Sequence, residues 1–223
     1  MRRFYLVFSK CPTMSDILSY SHYCELIWFD EINKINYYIN ISINQHLSVR
    51  ELRQKIKLNE YERLPEDTKD KLVAHEEVVV SDFIKNPIVI KNKFNTDEIS
   101  EKMLKTLILE DISSFMKELG NGFSFINSEY KIKIGNNYNY IDLLLFNYIY
   151  NYFVVIELKV SELKKEYIGQ IEVYMNYIDQ NIKKVNQDKT IGIVITKKDN
   201  KYIMSYCSDK RIFNTNYKLE GVI

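Results

Sequence analysis

Residues 153–160 read FVVIELKV, and residues 140–147, on the strand predicted before it, read YIDLLLFN. Side chains alternate between the two faces of a β-strand, so Glu157 and Lys159 point to the same face. The apolar residues beside them indicate a central strand that is covered on both faces. A buried polar group without a partner costs roughly 1–3 kcal/mol. The two charges therefore indicate either a structural ion pair or a functional site.

The Glu-x-Lys spacing occurs three times in the chain, so it is not specific by itself. The copies at residues 129–131 and 162–164 fall at the start of a predicted strand and of a predicted helix, where charged residues are common. The copy at 157–159 differs because an acidic residue, Asp142, lies on the preceding strand. The residues alone leave a functional site and a structural ion pair equally open. If the combination is a site, the chemistry that fits it is metal-assisted hydrolysis of phosphodiesters.

Each residue of this combination suits one part of that chemistry. Asp142 and Glu157 offer the hard oxygen ligands that Mg²⁺ takes in proteins, and the main-chain carbonyl of Leu158 is a third candidate ligand. We expect Mg²⁺ as the metal, with Mn²⁺ as the alternative. The metal would activate a water molecule and offset the charge of the phosphate. Lys159 would position or deprotonate that water and stabilise the anionic transition state.

The first part of the chain has the pattern of a helical module. Isoleucines spaced three or four residues apart predict a helix over 31–45. Ser48 and Glu51 form a capping-box pattern, which predicts that another helix begins at Ser48. Residues 87–96 are interpreted as a connector, which places the domain boundary after residue 95. The helices of this module are predicted from Ser19 and over residues 31–45, 48–64 and 66–85.

The second part of the chain changes to an α/β pattern. A long amphipathic helix is predicted over residues 97–119, with Thr96 as its cap and Gly120 as its end. Three strands, a helix and two further strands follow it, and this order predicts a sheet of mixed strand direction. The predicted strands cover residues 123–134, 138–147, 151–160, 190–196 and 202–207, and the predicted helix covers 162–184.

Composition excludes several classes of protein. Of 223 residues, 46% are hydrophobic and 27% are charged, with six glycines and three prolines, so the chain is neither collagenous nor disordered. The net charge of +1 excludes a generally basic nucleic-acid binder, although not one with a basic patch. No run approaches the roughly 18 apolar residues that span a bilayer. With three widely spaced cysteines read as free thiols, we expect a cytoplasmic protein without membrane contact.

The Asp…Glu-x-Lys order resembles the PD-(D/E)XK nuclease superfamily, and the wider sequence is similar to its YhcG-like family. The resemblance implies a restriction-endonuclease-like core at residues 96–223, preceded by an all-α domain at residues 1–95. It also implies catalytic roles for Asp142, Glu157 and Lys159, and ends that are shortened relative to the family. The matching segments are FYLVF, LSYSHYCELI, LSVRELRQKI, YERL, KELGNGFSFI, YIDLLLFN, VVIELKV, GQIEVYMNYID and TIGIVITKKDN.

The same resemblance implies further site residues. Gln170 and Tyr174 form a Gln-x3-Tyr pair that is similar to the accessory motif of RecB-like nucleases, which shapes the site and contacts the nucleic acid. Packing in the core is the alternative interpretation of Tyr174. Superfamily members often add an acidic residue from the first helix of the core. Glu110 is our candidate for that role, and a solvated helix carboxylate is the alternative.

Three basic residues in the first part predict contact with DNA. Arg50, Arg53 and Lys57 lie at positions i, i+3 and i+7, so they share one face of the predicted helix. A short turn joins this helix to the one before it, as in a helix-turn-helix. The alternative is a solvated basic face. If the three side chains bind DNA, we expect them mostly to neutralise phosphates.

The leading hypothesis is a Mg²⁺-dependent nuclease that hydrolyses DNA phosphodiester bonds, in DNA processing, restriction, or defence against mobile elements or phages. The alternative is a catalytically silent DNA-binding or protein-interaction subunit that retains the nuclease fold. DNA is the predicted partner in both cases. A homo-oligomer or a partner protein stays open.

Overall fold

The computed structural model describes residues 18–74, 84–94, 96 and 98–221. The chain divides into two compact units, residues 1–82 and 83–223. The described part of the first unit is helical: α1 (Tyr20–Leu26), α2 (Ile32–Asn44), α3 (Val49–Lys57) and α4 (Glu66–Ala74). The predicted division after residue 95 stays a prediction.

Local sequence explains where α3 begins and ends. The predicted capping box is confirmed, because the Glu51 main-chain N–H donates to the Ser48 hydroxyl and the Ser48 N–H donates to the Glu51 carboxylate. The helix ends at Lys57 rather than near residue 64, and Asn59 follows with a left-handed φ of 50°. Helix α4 is shorter than the predicted 66–85 in its described part, and residues 75–83 lie outside the described residues.

The second unit is a sheet with helices. Its elements are β1 (Ile88–Asn92), α5 (Glu101–Glu110), α6 (Ile112–Leu119), β2 (Phe123–Ile134), β3 (Asn137–Asn147), β4 (Tyr152–Leu158), α7 (Lys165–Asn181), β5 (Ile191–Thr196), α8 (Lys201–Ser205) and β6 (Ile212–Gly221). The strands are ordered β1-β6-β5-β4-β3-β2. The pairs β1–β6, β6–β5 and β5–β4 are parallel, and β3 pairs antiparallel with both β4 and β2. The predicted α/β fold with a mixed sheet is confirmed.

The two central strands are covered on both faces. Val155 of β4 and Val194 of β5 belong to the core that α7 completes with Met175. Ile156 and Ile193, which alternate with them, are also fully buried. These strands therefore form the buried centre of the unit, as the apolar run before Glu157 predicts.

The predicted helix over 97–119 is two helices. Asp111, with φ −128° and ψ 52°, interrupts the run, and its carboxylate accepts a hydrogen bond from the Ser114 N–H at the start of α6. The predicted cap at Thr96 is wrong: the Ser100 hydroxyl caps α5 by accepting from the Met103 N–H. Gly120 ends α6 with φ 124°, as predicted.

Two further stretches differ from the sequence prediction. Residues 88–92, interpreted as part of a connector, form the edge strand β1, which pairs in parallel with β6. The strand predicted over 202–207 is wrong, because the short helix α8 begins there after Asn200, whose side chain accepts from the Ile203 N–H. The last strand is β6, further along the chain.

The outer edge of β1 is occupied by a side chain. The Val89 N–H donates to Oε1 of Glu118, a residue of α6. The other oxygen of that carboxylate lies 3.3 Å from the buried Lys85 ammonium. This edge of the described sheet is thereby partly closed by α6.

Two expectations from composition can be compared with the described residues. None of the described helices combines the length and the apolar character needed to cross a membrane. Cys24 and Cys207 are free thiols, and Cys11 lies outside the described residues.

A glycine sets the distance between α7 and the sheet, which allows a test of the packing. A Cβ at Gly192 would lie 2.5 Å from Met175 Sδ and 2.9 Å from Ile171 Cδ1, both in the buried core. We predict that Gly192→Ala lowers the free energy of unfolding by roughly 1–3 kcal/mol, measured by urea denaturation. Gly169→Ala is the matched control on α7, where a Cβ meets nothing within 4 Å. It should stabilise the helix by up to about 1 kcal/mol, and equal effects of the two variants would contradict this packing.

Candidate active site

The site lies where β3 and β4 separate. Along β3, pairing with β4 begins at Leu143, so Asp142 lies just outside the paired region. At that point the Leu158 N–H donates to Oδ2 of Asp142 at 2.9 Å. The next amide, Lys159 N–H, donates at 2.8 Å to the Ile195 carbonyl, at the end of β5 on the other side of the strand. A side chain of β3 therefore takes the place of a main-chain acceptor, and the two strands can diverge.

Glu157 is buried beside this point. The residue is 2% exposed, and its Oε1 accepts a long hydrogen bond of 3.5 Å from the Asp142 N–H. Its Oε2 lies 3.4 Å from the Lys159 ammonium. Burial, and then the charge of Asp142, raise the pKa of Glu157 to about 7, although the cation of Lys159 acts in the opposite direction.

Lys159 lies between carboxylates and an aromatic ring. Its ammonium is 3.9 Å from Oε2 of Glu101 on α5 and 5.3 Å from the ring centroid of Tyr167 on α7. Burial acts to lower the pKa of this lysine, but the negative charges of Glu157, Glu101 and Asp142 outweigh it and the pKa is raised. The Lys159 side chain is therefore protonated at neutral pH.

Lys105 of α5 is a site residue that the sequence prediction missed. Its ammonium is 2.7 Å from Oδ1 of Asp142 and 3.2 Å from Oε1 of Glu129. Glu101 and Lys105 are spaced i, i+4, which on sequence alone is typical of an ion pair along a helix surface. Here Glu101 contacts Lys159, and Lys105 contacts the carboxylate of Asp142. Because such pairs are common on helices, the spacing does not single out either residue in the sequence.

The structure places Glu110 away from this cluster. Glu110 is at the opposite end of α5 from Glu101, and its carboxylate pairs with the ammonium of Lys93, just after β1. Both partners are about half exposed. The acidic residue that α5 brings to the site is thus Glu101, and the position of Glu110 does not support the role predicted for it.

The predicted accessory pair lies on α7. The Gln170 amide donates to the Tyr174 hydroxyl at 2.9 Å. Tyr174 is buried in the core with Ile132 and Ile141 of the β2–β3 hairpin. The burial of this ring agrees with core packing, and its hydroxyl is held by Gln170.

The three predicted DNA-contacting residues are in the first unit. Arg50, Arg53 and Lys57 are all exposed on α3, whose buried side carries Leu52. The Arg53 guanidinium forms a two-point ion pair with Glu25 of α1, at 2.6 and 3.2 Å. Of the three basic residues, Arg53 is therefore already paired with a carboxylate.

The donor set fits a hard divalent cation. Among the described residues, no group of three or more acidic, histidine or cysteine side chains could hold a metal. Mg²⁺, however, usually takes only one or two carboxylates and keeps several waters. The connected cluster has four carboxylates and two ammonium groups, those of Glu101, Glu129, Asp142 and Glu157 and of Lys105 and Lys159. Four minus two leaves two negative charges when Glu157 is ionised, which equals the charge of one divalent cation.

The pKa of Glu157 gives a test of the metal-free site. A carboxyl group whose pKa is raised on folding contributes its full stability below the unfolded value of 4.5, and that contribution is lost as the pH rises through about 7. Between those values the wild type should lose about 3 kcal/mol of unfolding free energy relative to Glu157→Gln. Urea denaturation in EDTA, near pH 4 and near pH 8, measures this difference. The exposed Glu166→Gln is the control, and parallel pH curves for Glu157→Gln and the wild type would contradict the burial of a carboxylate here.

Family models match nearly the whole chain. The model described as YhcG PDDEXK nuclease domain matches residues 81–221, and the DUF1016 N-terminal domain matches residues 1–63. The chain is 25% identical over 208 residues to the YhcG protein of Escherichia coli (strain K12), a candidate nuclease. That alignment covers 91% of this chain and 52% of the relative, so the chain spans about half the relative's length. These matches confirm the resemblance predicted from the sequence.

Two solved structures show a weaker likeness. A repair endonuclease from Pyrococcus abyssi is 18% identical with a TM-score of 0.39, over 55% of this chain and 48% of that chain. EndoMS in complex with double-stranded DNA is 18% identical with a TM-score of 0.38, over 58% and 48%. Similarity at this level establishes neither a shared substrate nor a shared mechanism. The restriction-endonuclease-like core is confirmed by the family match together with the mixed sheet.

Proposed function

Because this chain belongs to the YhcG PDDEXK nuclease domain family, we propose that it is a Mg²⁺-dependent nuclease that hydrolyses DNA phosphodiester bonds. One observation carries the proposal: Asp142, Glu157 and Lys159 meet at the point where β3 and β4 separate. Two carboxylates and an ammonium group at one end of a buried strand need a reason beyond stability, because burial alone disfavours them. DNA processing, restriction and defence against phages or mobile elements are the roles that this activity would serve.

The proposal assigns a part to each side chain. Asp142 and Glu157 would hold the ion, with the Leu158 carbonyl as a third oxygen. A bound Mg²⁺ supplies Lewis acidity at the phosphate and lowers the pKa of a bound water. The Lys159 ammonium would lie beside the scissile phosphate and stabilise the negative charge that develops there. Glu101 would fix the position of that ammonium.

Lys105 has a part in the absence of metal. Its ammonium contacts Asp142 directly, so it offsets the charge of a carboxylate that faces Glu157. If Asp142 held a cation, its contact with Lys105 would weaken, and Glu129, whose carboxylate lies 3.2 Å from the Lys105 ammonium, would keep that lysine paired. The side chain can thus stay paired in both states.

The contact between Lys105 and Asp142 also favours a second candidate function. If it is a permanent structural ion pair, the protein is a silent DNA-binding or protein-interaction subunit with a nuclease fold. Isothermal titration with Mg²⁺ separates the two. A nuclease should bind Mg²⁺, and Asp142→Asn should abolish that binding, whereas a silent subunit should show no binding that depends on Asp142.

Cleavage is the direct test of the proposal. Purified protein should cut DNA with Mg²⁺ and stop in EDTA. Lys159→Ala should lower the rate at least 100-fold, because a preorganised charge at the transition state is lost. Lys164→Ala, an exposed lysine shortly after β4, is the control and should cut like the wild type. Wild-type rates from Lys159→Ala, or cleavage that survives EDTA, would refute the assignment.

The two acidic residues of α5 give a matched comparison. Glu101→Gln should slow cleavage roughly 10-fold, because it releases Lys159 from its position. It should also move the alkaline limb of the pH–rate profile to lower pH, since the charge of Glu101 helps to raise the pKa of Lys159. Glu110→Gln, which removes only the partner of Lys93, should stay within about twofold of wild type. A larger effect from Glu110→Gln than from Glu101→Gln would reverse the two roles.

A further inference from the structure

The β2–β3 hairpin continues beyond the rest of the sheet. Residues 130–134 of β2 pair with residues 137–141 of β3, whereas pairing of β3 with β4 begins only at Leu143. A two-stranded ribbon of five residue pairs, about 17 Å long, therefore extends from the candidate active site. Its turn contains Gly135 with φ 59°, a conformation that favours glycine.

One face of the ribbon is anchored. Ile132 and Ile141 are fully buried and pack in the core that includes Tyr174 of α7. Tyr130 and Ile134 pack against the same core. The ribbon is thus held against the body of the unit, and its other side chains have defined positions.

The other face carries two lysines and two tyrosines in register. Lys131 lies opposite Tyr140, and Lys133 lies opposite Tyr138. All four are exposed, and the tyrosines keep 56% (Tyr138) and 53% (Tyr140) of their surface open to solvent. The Lys131 ammonium lies 3.8 Å from the ring centroid of Tyr138, a cation–π contact that orders both side chains. We call these four residues the Lys–Tyr ladder.

The ladder leads into the candidate site. Tyr140 precedes Asp142 by two residues on β3, which is about 7 Å along a strand. On β2, Lys131 follows Glu129 by two residues, and the Glu129 carboxylate contacts Lys105, which in turn contacts Asp142. A strand of nucleic acid with one phosphate at Asp142 would therefore meet the ladder with its next nucleotides.

We propose that the Lys–Tyr ladder binds an unpaired single strand of DNA next to the phosphate that is cut. This inference rests on the proposed nuclease function and names its substrate class. Proteins that bind single strands combine cations for the phosphates with aromatic rings on which bases stack. Lys131 and Lys133 supply the cations, and the Tyr140 ring supplies the stacking surface. Bases inside a duplex are already stacked on one another, so exposed rings are best used by an unpaired strand.

Binding without cleavage tests the charges of the ladder. Fluorescence anisotropy in EDTA, in a Lys159→Ala background, compares a labelled oligo-dT with a duplex of equal length. Lys131→Ala with Lys133→Ala should weaken single-strand binding at least 10-fold at low salt. The slope of log affinity against log salt should fall by about 1.4, since each phosphate contact on a single strand contributes about 0.7. The control pair Lys210→Ala with Lys218→Ala, exposed near or on β6, should stay within twofold.

The tyrosine gives an independent arm of the same experiment. Tyr140→Ala should weaken single-strand binding about 10-fold with no change in the salt slope, because a stacking contact and not a charge is lost. Tyr140→Phe should restore the affinity, and the control Tyr148→Ala, an exposed tyrosine just past the other end of β3, should have no effect.

Specific outcomes overturn the inference. Unchanged single-strand affinity in the double lysine variant refutes the ladder as a binding site. An equal loss for duplex and single strand refutes the preference for an unpaired strand. Since the measurement uses neither metal nor cleavage, it can fail while the nuclease proposal stands, and it can succeed in a silent DNA-binding protein. Circular dichroism verifies that the exposed substitutions leave the fold intact.

Discussion

The hydrogen bond from the Leu158 amide to the Asp142 carboxylate is the contact on which the rest of the site depends. In a regular sheet that amide would donate to a main-chain carbonyl of β3, and the two strands would stay paired. A carboxylate in that position satisfies the amide and also lets β3 turn away. The buried carboxylate of Glu157 then lies beside the point where the two strands separate, 3.4 Å from the Lys159 ammonium.

Much of the fold could be predicted because its central strands are short apolar runs between clear turns. The ends of β2 at residue 134 and of α6 at Gly120 follow from glycines that adopt positive φ. The break at Asp111 could not be predicted, because the apolar stripe continues across it. The new helix is marked by the hydrogen bond that the Ser114 N–H donates to the Asp111 carboxylate. Residues 202–207 include the β-forming Tyr202, Ile203 and Tyr206, but they follow Asn200, whose side chain caps a short helix by accepting from the Ile203 N–H.

The candidate site could be predicted in part for a related reason. Asp142, Glu157 and Lys159 lie on adjacent strands, so alternation alone indicates which side chains can meet. A contribution from α5 depends on which turn of the helix faces the sheet, and periodicity leaves that choice open. Glu101 and Glu110 are nine residues apart on one helix, and the structure brings Glu101 and not Glu110 to Lys159. An i, i+4 pair such as Glu101 and Lys105 is ordinary on helices, so its use across two elements has no signature in the sequence.

The carboxylate of Glu118 at the outer edge of β1 has a consequence for how copies of this chain meet. An open sheet exposes amides and carbonyls that can recruit a strand from another molecule. Here the Val89 amide is already engaged by Glu118, which also lies 3.3 Å from the buried Lys85 ammonium. An arriving strand would have to displace that carboxylate and separate it from Lys85 before it could pair. Edge-to-edge aggregation at β1, the outermost of the described strands, is thereby opposed by a single acidic residue of α6.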